Sequence, residues 1–263
     1  MDKAQIEQLA PGRSAHCAEI KTGRRPKRPV ERYFFVAMGI FAIFIALIPF
    51  GPVLLKVVSG SFPLAWVLHV HGALMTAWLA MFFAQTVFAA TGRMALHRRA
   101  GRFGIPLGFA VWASMVAVEM RAVIVHPRPD LSSYDDLLPG VYIYSLFLLC
   151  FTSAVYLRKL PAWHKRLMVV TAFLTLQAAF MRIYLPIFAP GYWNDALYLD
   201  GALFIPLVAY DFISIKRLHP ATILSAALLL SAQTALSLAW GTEGWRNFAF
   251  HFSQLLRSLF LPG

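Results

Sequence analysis

Residues 63–90, PLAWVLHVHGALMTAWLAMFFAQTVFAA, run without a single Asp, Glu, Lys or Arg. A helix that crosses a bilayer needs about 20 consecutive, predominantly apolar residues, and this stretch supplies them. Further apolar runs lie near 33–55, 104–125, 139–158, 166–187, 199–216 and 220–240. The expected fold is therefore all-α, a polytopic membrane helix bundle of about seven transmembrane helices over 33–240, with spans two to five (63–187) as its core.

Composition agrees. The 263 residues are 59% apolar and 14% charged, against a charged share of about 25% in soluble proteins, so a water-soluble surface could not be covered. The net charge of +12 would suggest nucleic acid if it lay on one folded face. It lies instead in residues 1–32 and in alternate loops, around 93–102, 158–166 and 216–217, while the other loops hold Asp130, Asp135, Asp136, Asp195 and Asp200. That alternation makes the lipid bilayer the partner and excludes a nucleic-acid role. By the positive-inside rule the N-terminus is cytoplasmic and the C-terminus periplasmic in a bacterial inner membrane.

The tail, 1–32, has no apolar periodicity and is expected to be disordered over anionic head groups. The first apolar run starts too late and is too long for a signal-peptide core, so it reads as a retained span. Cys17 in the tail and Cys150 within an apolar run are expected to stay unbridged. In 241–263, Trp245, Phe248, Phe252, Leu255, Leu256 and Leu259 recur at helical spacing, the pattern of an amphipathic helix lying in the interface.

Function is sought among polar groups at hydrocarbon depth, each costing on the order of 2.5–3.5 kcal/mol on insertion scales. The candidates are His69, His71, Gln85, Glu119, Arg121, Gln177, Arg182, Asp211, Gln233 and Thr234. His71, Trp78 and Gln85 recur every seven residues and form one stripe, with His69 nearly opposite. Along span five, His164, Met168, Thr171, Thr175 and Arg182 share a face, with His164 and Arg182 about 27 Å apart. Arg182, Arg121 and His71 would then form an outer basic cluster with Glu119 as counter-charge, positioned to hold a carboxylate or a haem propionate. Glu119 and His126 share a face of span three. The plainer alternative is that the arginines snorkel to the interface. At the inner end, His97, His164 and His219 lie in or beside loops with Asp211 one turn inside, where imidazole and carboxylate could bind a metal or relay protons. No phosphate-binding loop, nucleophile elbow or paired-Cys site occurs.

Two resemblances follow from these residues. The ordered series His71, Gln85, His97-Arg98-Arg99-Ala100-Gly101-Arg102, His164-Lys165-Arg166-Leu167-Met168 and Arg182-Ile183-Tyr184-Leu185-Pro186 resembles a family of predicted bacterial multi-span membrane proteins of unknown function. That family often has Trp where this chain has Leu167. The resemblance implies a helical core of spans two to five and singles out His71, Gln85, His97, His164 and Arg182. More loosely, spans two to five are similar to four-helix membrane cytochromes of the b type, which implies haem b ligated by His71 with His126 or by His97 with His164, and Arg121 and Arg182 near the propionates.

Three functions stay open on the sequence. One is a redox protein binding haem b or quinone, which would exchange electrons with a quinone or a membrane protein complex. Another is a non-catalytic subunit or assembly factor of a membrane complex. The third is a small-anion or proton-coupled transporter lined by Arg121, Arg182 and Glu119, with helix interruptions at Pro106 and Pro206.

Overall fold

A computed structural model describes residues 29–125, 130–188 and 200–260. Every regular element among them is helical, nine α-helices with three short 3-10 turns between them. The basic tail lies outside the described residues except at its end, where α1 (Pro29–Val58) starts four residues earlier than composition suggests. Proline with its fixed φ is well suited to a helix start. Arg32 is thereby drawn into the helix, and its Nε donates to the Ala90 carbonyl (2.7 Å), satisfying an end carbonyl of α2.

The hairpin of α2 (Trp66–Ala90) and α3 (Met94–Val125) turns on Gly92, whose φ of +76° suits a residue without Cβ. Pro106 sits inside α3 without interrupting it. Next come α4 (Leu137–Tyr156), α5 (Pro161–Leu174), α6 (Gln177–Phe188), α7 (Phe204–Ile215), α8 (Pro220–Ala239) and α9 (Glu243–Phe260). Five helices are long and apolar enough to cross a membrane, namely α1, α2, α3, α4 with its flanking turns, and α8; the α5–α6 pair makes a sixth if counted as one span. The run expected over 199–216 folds into only 12 α-helical residues in α7, about 18 Å long, shorter than a hydrocarbon core of about 30 Å.

Span five differs from its sequence reading in one respect. The chain leaves helical geometry after Leu174 and resumes at Gln177 with a 46° bend, so a single face does not run from His164 to Arg182. No proline stands at the break. The interruption is there, and not at Pro106 or at Pro206, which lies inside α7. Gln177, at the start of α6, is buried with Phe173 and Phe204 beside it, and its Oε1 has no hydrogen-bond partner among the described residues.

An aromatic block at the centre of the bundle fixes α2 against α4. Trp78 is 1% exposed and meets Phe147 and Phe151 edge-on at centroid distances of 5.7 and 5.6 Å. Gly108 on α3 faces the Phe151 ring so closely that a Cβ would fall 2.6–2.7 Å from two of its atoms. The glycine is what lets α3 close onto this block.

Candidate histidine site

The stripe on α2 is real and faces inward along its whole length. His71 places Nδ1 3.0 Å from the Ser114 hydroxyl on α3, Trp78 enters the aromatic block, and Gln85 reaches His97. His69 is exposed, as its opposite position on the helix requires. Ser114 donates its own proton to the Val111 carbonyl (2.7 Å), so His71 donates to it through Nδ1–H and keeps Nε2 as an acceptor.

At the opposite end of α2 three helices bring together Gln85, His97 and His164. The rings of His97 and His164 stand edge to face, 6.3 Å between centroids at 89°. They are helical residues, not loop residues as the sequence suggested: His97 lies in the first turn of α3 and His164 in that of α5. His164 Nδ1 is 2.8 Å from the Ala154 carbonyl on α4, and His97 Nδ1 is 3.2 Å from the Gln85 carbonyl on α2. An imidazole tied through one nitrogen to a backbone oxygen presents the other in a fixed direction, the arrangement of metal-ligating histidines.

Asp211 takes a different part from the one its position suggests. Its Oδ1 receives Arg166 Nε (2.8 Å) and also Arg166 Nη2, while its Oδ2 receives the Thr222 hydroxyl (2.6 Å) and the backbone amide of His219 (2.9 Å). The His219 ring caps α8, its Nδ1 accepting from Ala221 N–H (3.1 Å). The inner carboxylate is thus consumed in a buried ion pair that fastens α5, α7 and α8 together. Arg166, which reads in sequence as one more basic loop residue, is 2% exposed. Next to it, Lys165 donates to the Tyr210 hydroxyl (2.6 Å) and lies over the Phe35 ring.

Glu119 accepts from Tyr144 (3.0 Å). Arg121 is half-buried two residues further along α3. Arg182 is exposed, donates to its own helix at Ala178 (3.0 Å) and lies over Phe50 of α1. His126 lies outside the described residues. Among the described residues, no group of three or more His, Cys, Asp or Glu is placed to hold a metal ion.

No family model, curated protein or solved structure matches this chain. Its site is therefore argued from its own geometry.

Proposed function

We propose that the chain is an integral inner-membrane redox protein in which His97 and His164 would hold haem b. The observation that carries this reading is the approach of the two rings, each tied to a backbone oxygen or carboxamide through Nδ1. Two imidazoles that share one metal ion at about 2 Å each have ring centres roughly 6 Å apart, and these stand at 6.3 Å. Two protein nitrogens suit a group that brings its remaining ligands with it, as a porphyrin does. Bound there, haem b would supply one-electron transfer. The residues of the chain contribute position: Ala154 and Gln85 hold the two Nδ1 atoms, and the break before α6 leaves α5 a short, well-packed element.

The reading includes a topology of seven spans: α1, α2, α3, α4, the bent α5–α6, the run containing α7, and α8. Four basic stretches support a common cytoplasmic end, since contacts join Arg32 to the end of α2, His97 to His164, and Lys165 and Arg166 to α7. The helix α9 would lie in the periplasmic interface, its exposed Phe248, Phe252, Leu255 and Leu259 turned to lipid. Electrons would pass to or from a quinone or a partner membrane complex.

The test is an absorption spectrum of protein purified after haem-replete expression. Reducible haem b bands, lost in His97→Ala and His164→Ala but kept in His69→Ala, are expected. A colourless preparation with no bound iron would overturn the assignment.

A further inference from the structure

The carboxamide of Gln85 meets the first turn of α3, where His97 and Gly101 stand one helical turn apart. With its nitrogen towards that turn it donates to His97 Nδ1 (2.8 Å) and to the His97 carbonyl (3.0 Å), and its oxygen accepts from Gly101 N–H (3.3 Å). All three contacts pair a donor with an acceptor, and the unprotonated Nδ1 then gives up its bond to the Gln85 backbone carbonyl. In the reverse orientation the nitrogen meets only Met81 Sδ at 3.7 Å, and the oxygen faces the His97 carbonyl, another acceptor, and lies 2.8 Å from His97 Nδ1, from which it accepts only when that nitrogen is protonated. Glycine at 101 leaves this turn bare on the side from which Gln85 approaches, where a Cβ would stand 3.6 Å from the carboxamide.

The two orientations demand different forms of His97. A ring nitrogen that accepts carries no proton, so with the carboxamide nitrogen inward neutral His97 holds its proton on Nε2. Turned outward, Gln85 frees Nδ1–H to donate to the Gln85 carbonyl (3.2 Å) and leaves Nε2 as a lone pair. His164 has no such choice, because the Ala154 carbonyl only accepts and so keeps the proton on Nδ1.

We propose that Gln85 is a positioning residue that sets the tautomer of His97, and with it the state of the histidine pair. With the carboxamide inward the pair presents one N–H and one lone pair. Turned outward, it presents two lone pairs, the only form in which both rings can ligate a metal. The inference rests on the haem reading for its purpose, though not for its test: loading the site requires the Gln85 carboxamide to turn over.

The experiment is ¹⁵N and ¹³C NMR of histidine-labelled, haem-free protein in lipid nanodiscs, followed by titration with haemin. In the wild type His97 should show the Nε2–H form and His164 the Nδ1–H form. Gln85→Glu, which can only accept at neutral pH, and Gln85→Leu, which can do neither, should both convert His97 to Nδ1–H while the His164 signals stay in place, showing the bundle intact. Haemin should bind Gln85→Glu at least threefold more tightly than wild type. An Nδ1–H His97 in the wild type, or an unchanged His97 tautomer in both variants, would overturn the proposal. Tautomer conversion without haemin binding would remove the haem reading and leave the role of Gln85 standing.

Discussion

Arg166 and Asp211 neutralise one another with side chains only 2% and 0% exposed. Their attraction in a low-dielectric interior is set against the desolvation of both, so the pair contributes little net stability, but removing one partner strands the other. Asp211→Leu would leave a buried guanidinium and two donors, from Thr222 and the His219 amide, without an acceptor. The expected loss is about 3–5 kcal/mol, read as a lowered unfolding midpoint in detergent. Arg166→Met combined with Asp211→Leu should recover much of it. A double variant as unstable as the sum of the two singles would show that the pair is not coupled.

His219 gives the Arg166–Asp211 end of the bundle a pH dependence. Burial, reinforced by the Arg166 charge, lowers its pKa below the usual 6.5, with Lys165 and Arg217 acting in the same direction and Asp211 against them. Its capping bond to Ala221 also needs Nδ1 unprotonated. The folded state thus binds this proton less readily than the unfolded chain. The resulting stability is complete above about pH 6.5 and falls away as pH drops through the lowered folded value. His219→Asn keeps a capping oxygen and cannot titrate. Its midpoint should change less between pH 7.5 and 5.5 than that of wild type, and equal changes would refute the assignment.

Five of the spans were legible because a run such as 63–90 has only one stable use, and the inward stripe of His71, Trp78 and Gln85 followed from helical period alone. The break in span five was not legible. Leu174 to Gln177 contains neither proline nor glycine, and the bend shows only in the tertiary packing. Arg166 was hidden for a related reason: a basic residue beside His164 reads as solvated until α7 places Asp211 against it. For the histidine pair, the sequence identified each ring but set both in loops, since helix starts rich in arginine resemble connections.

At the other end of the bundle, α9 is held by a small set of polar contacts. Arg246 donates to Asp135 Oδ2 through Nε (3.0 Å) and Nη2 (2.6 Å), Trp245 donates to the Tyr134 carbonyl (3.1 Å), and Ser253 donates to the Tyr134 hydroxyl (3.1 Å). Asp135 is 5% exposed and Arg246 29%, so the pair is screened only on one side. Two charge-assisted hydrogen bonds from one guanidinium to a buried carboxylate are stronger than neutral ones. Asp135→Asn should therefore raise amide exchange across 243–260 by about tenfold or more while leaving α2 to α5 protected. Uniform loss of protection through the bundle would show that α9 does not open as a separate unit.

Gly108 tests how the aromatic block limits the approach of α3. An added Cβ would meet the Phe151 ring, and that ring cannot swing aside: it is 1% exposed, lies parallel to Phe147 at 13° and stands edge-on to Trp78. Overfilling a packed core of this kind costs about 1–3 kcal/mol, and in Gly108→Ala the strain should pass through Phe151 to α2 and α4. Phe151→Leu removes the ring atoms that the methyl group would strike. The two changes should therefore couple, the double variant being more stable than the sum of the single losses by 0.5 kcal/mol or more on the scale of residues in contact. Additive losses in the double-mutant cycle would mean that α3 accommodates the methyl group by shifting as a whole, with Phe151 left in place.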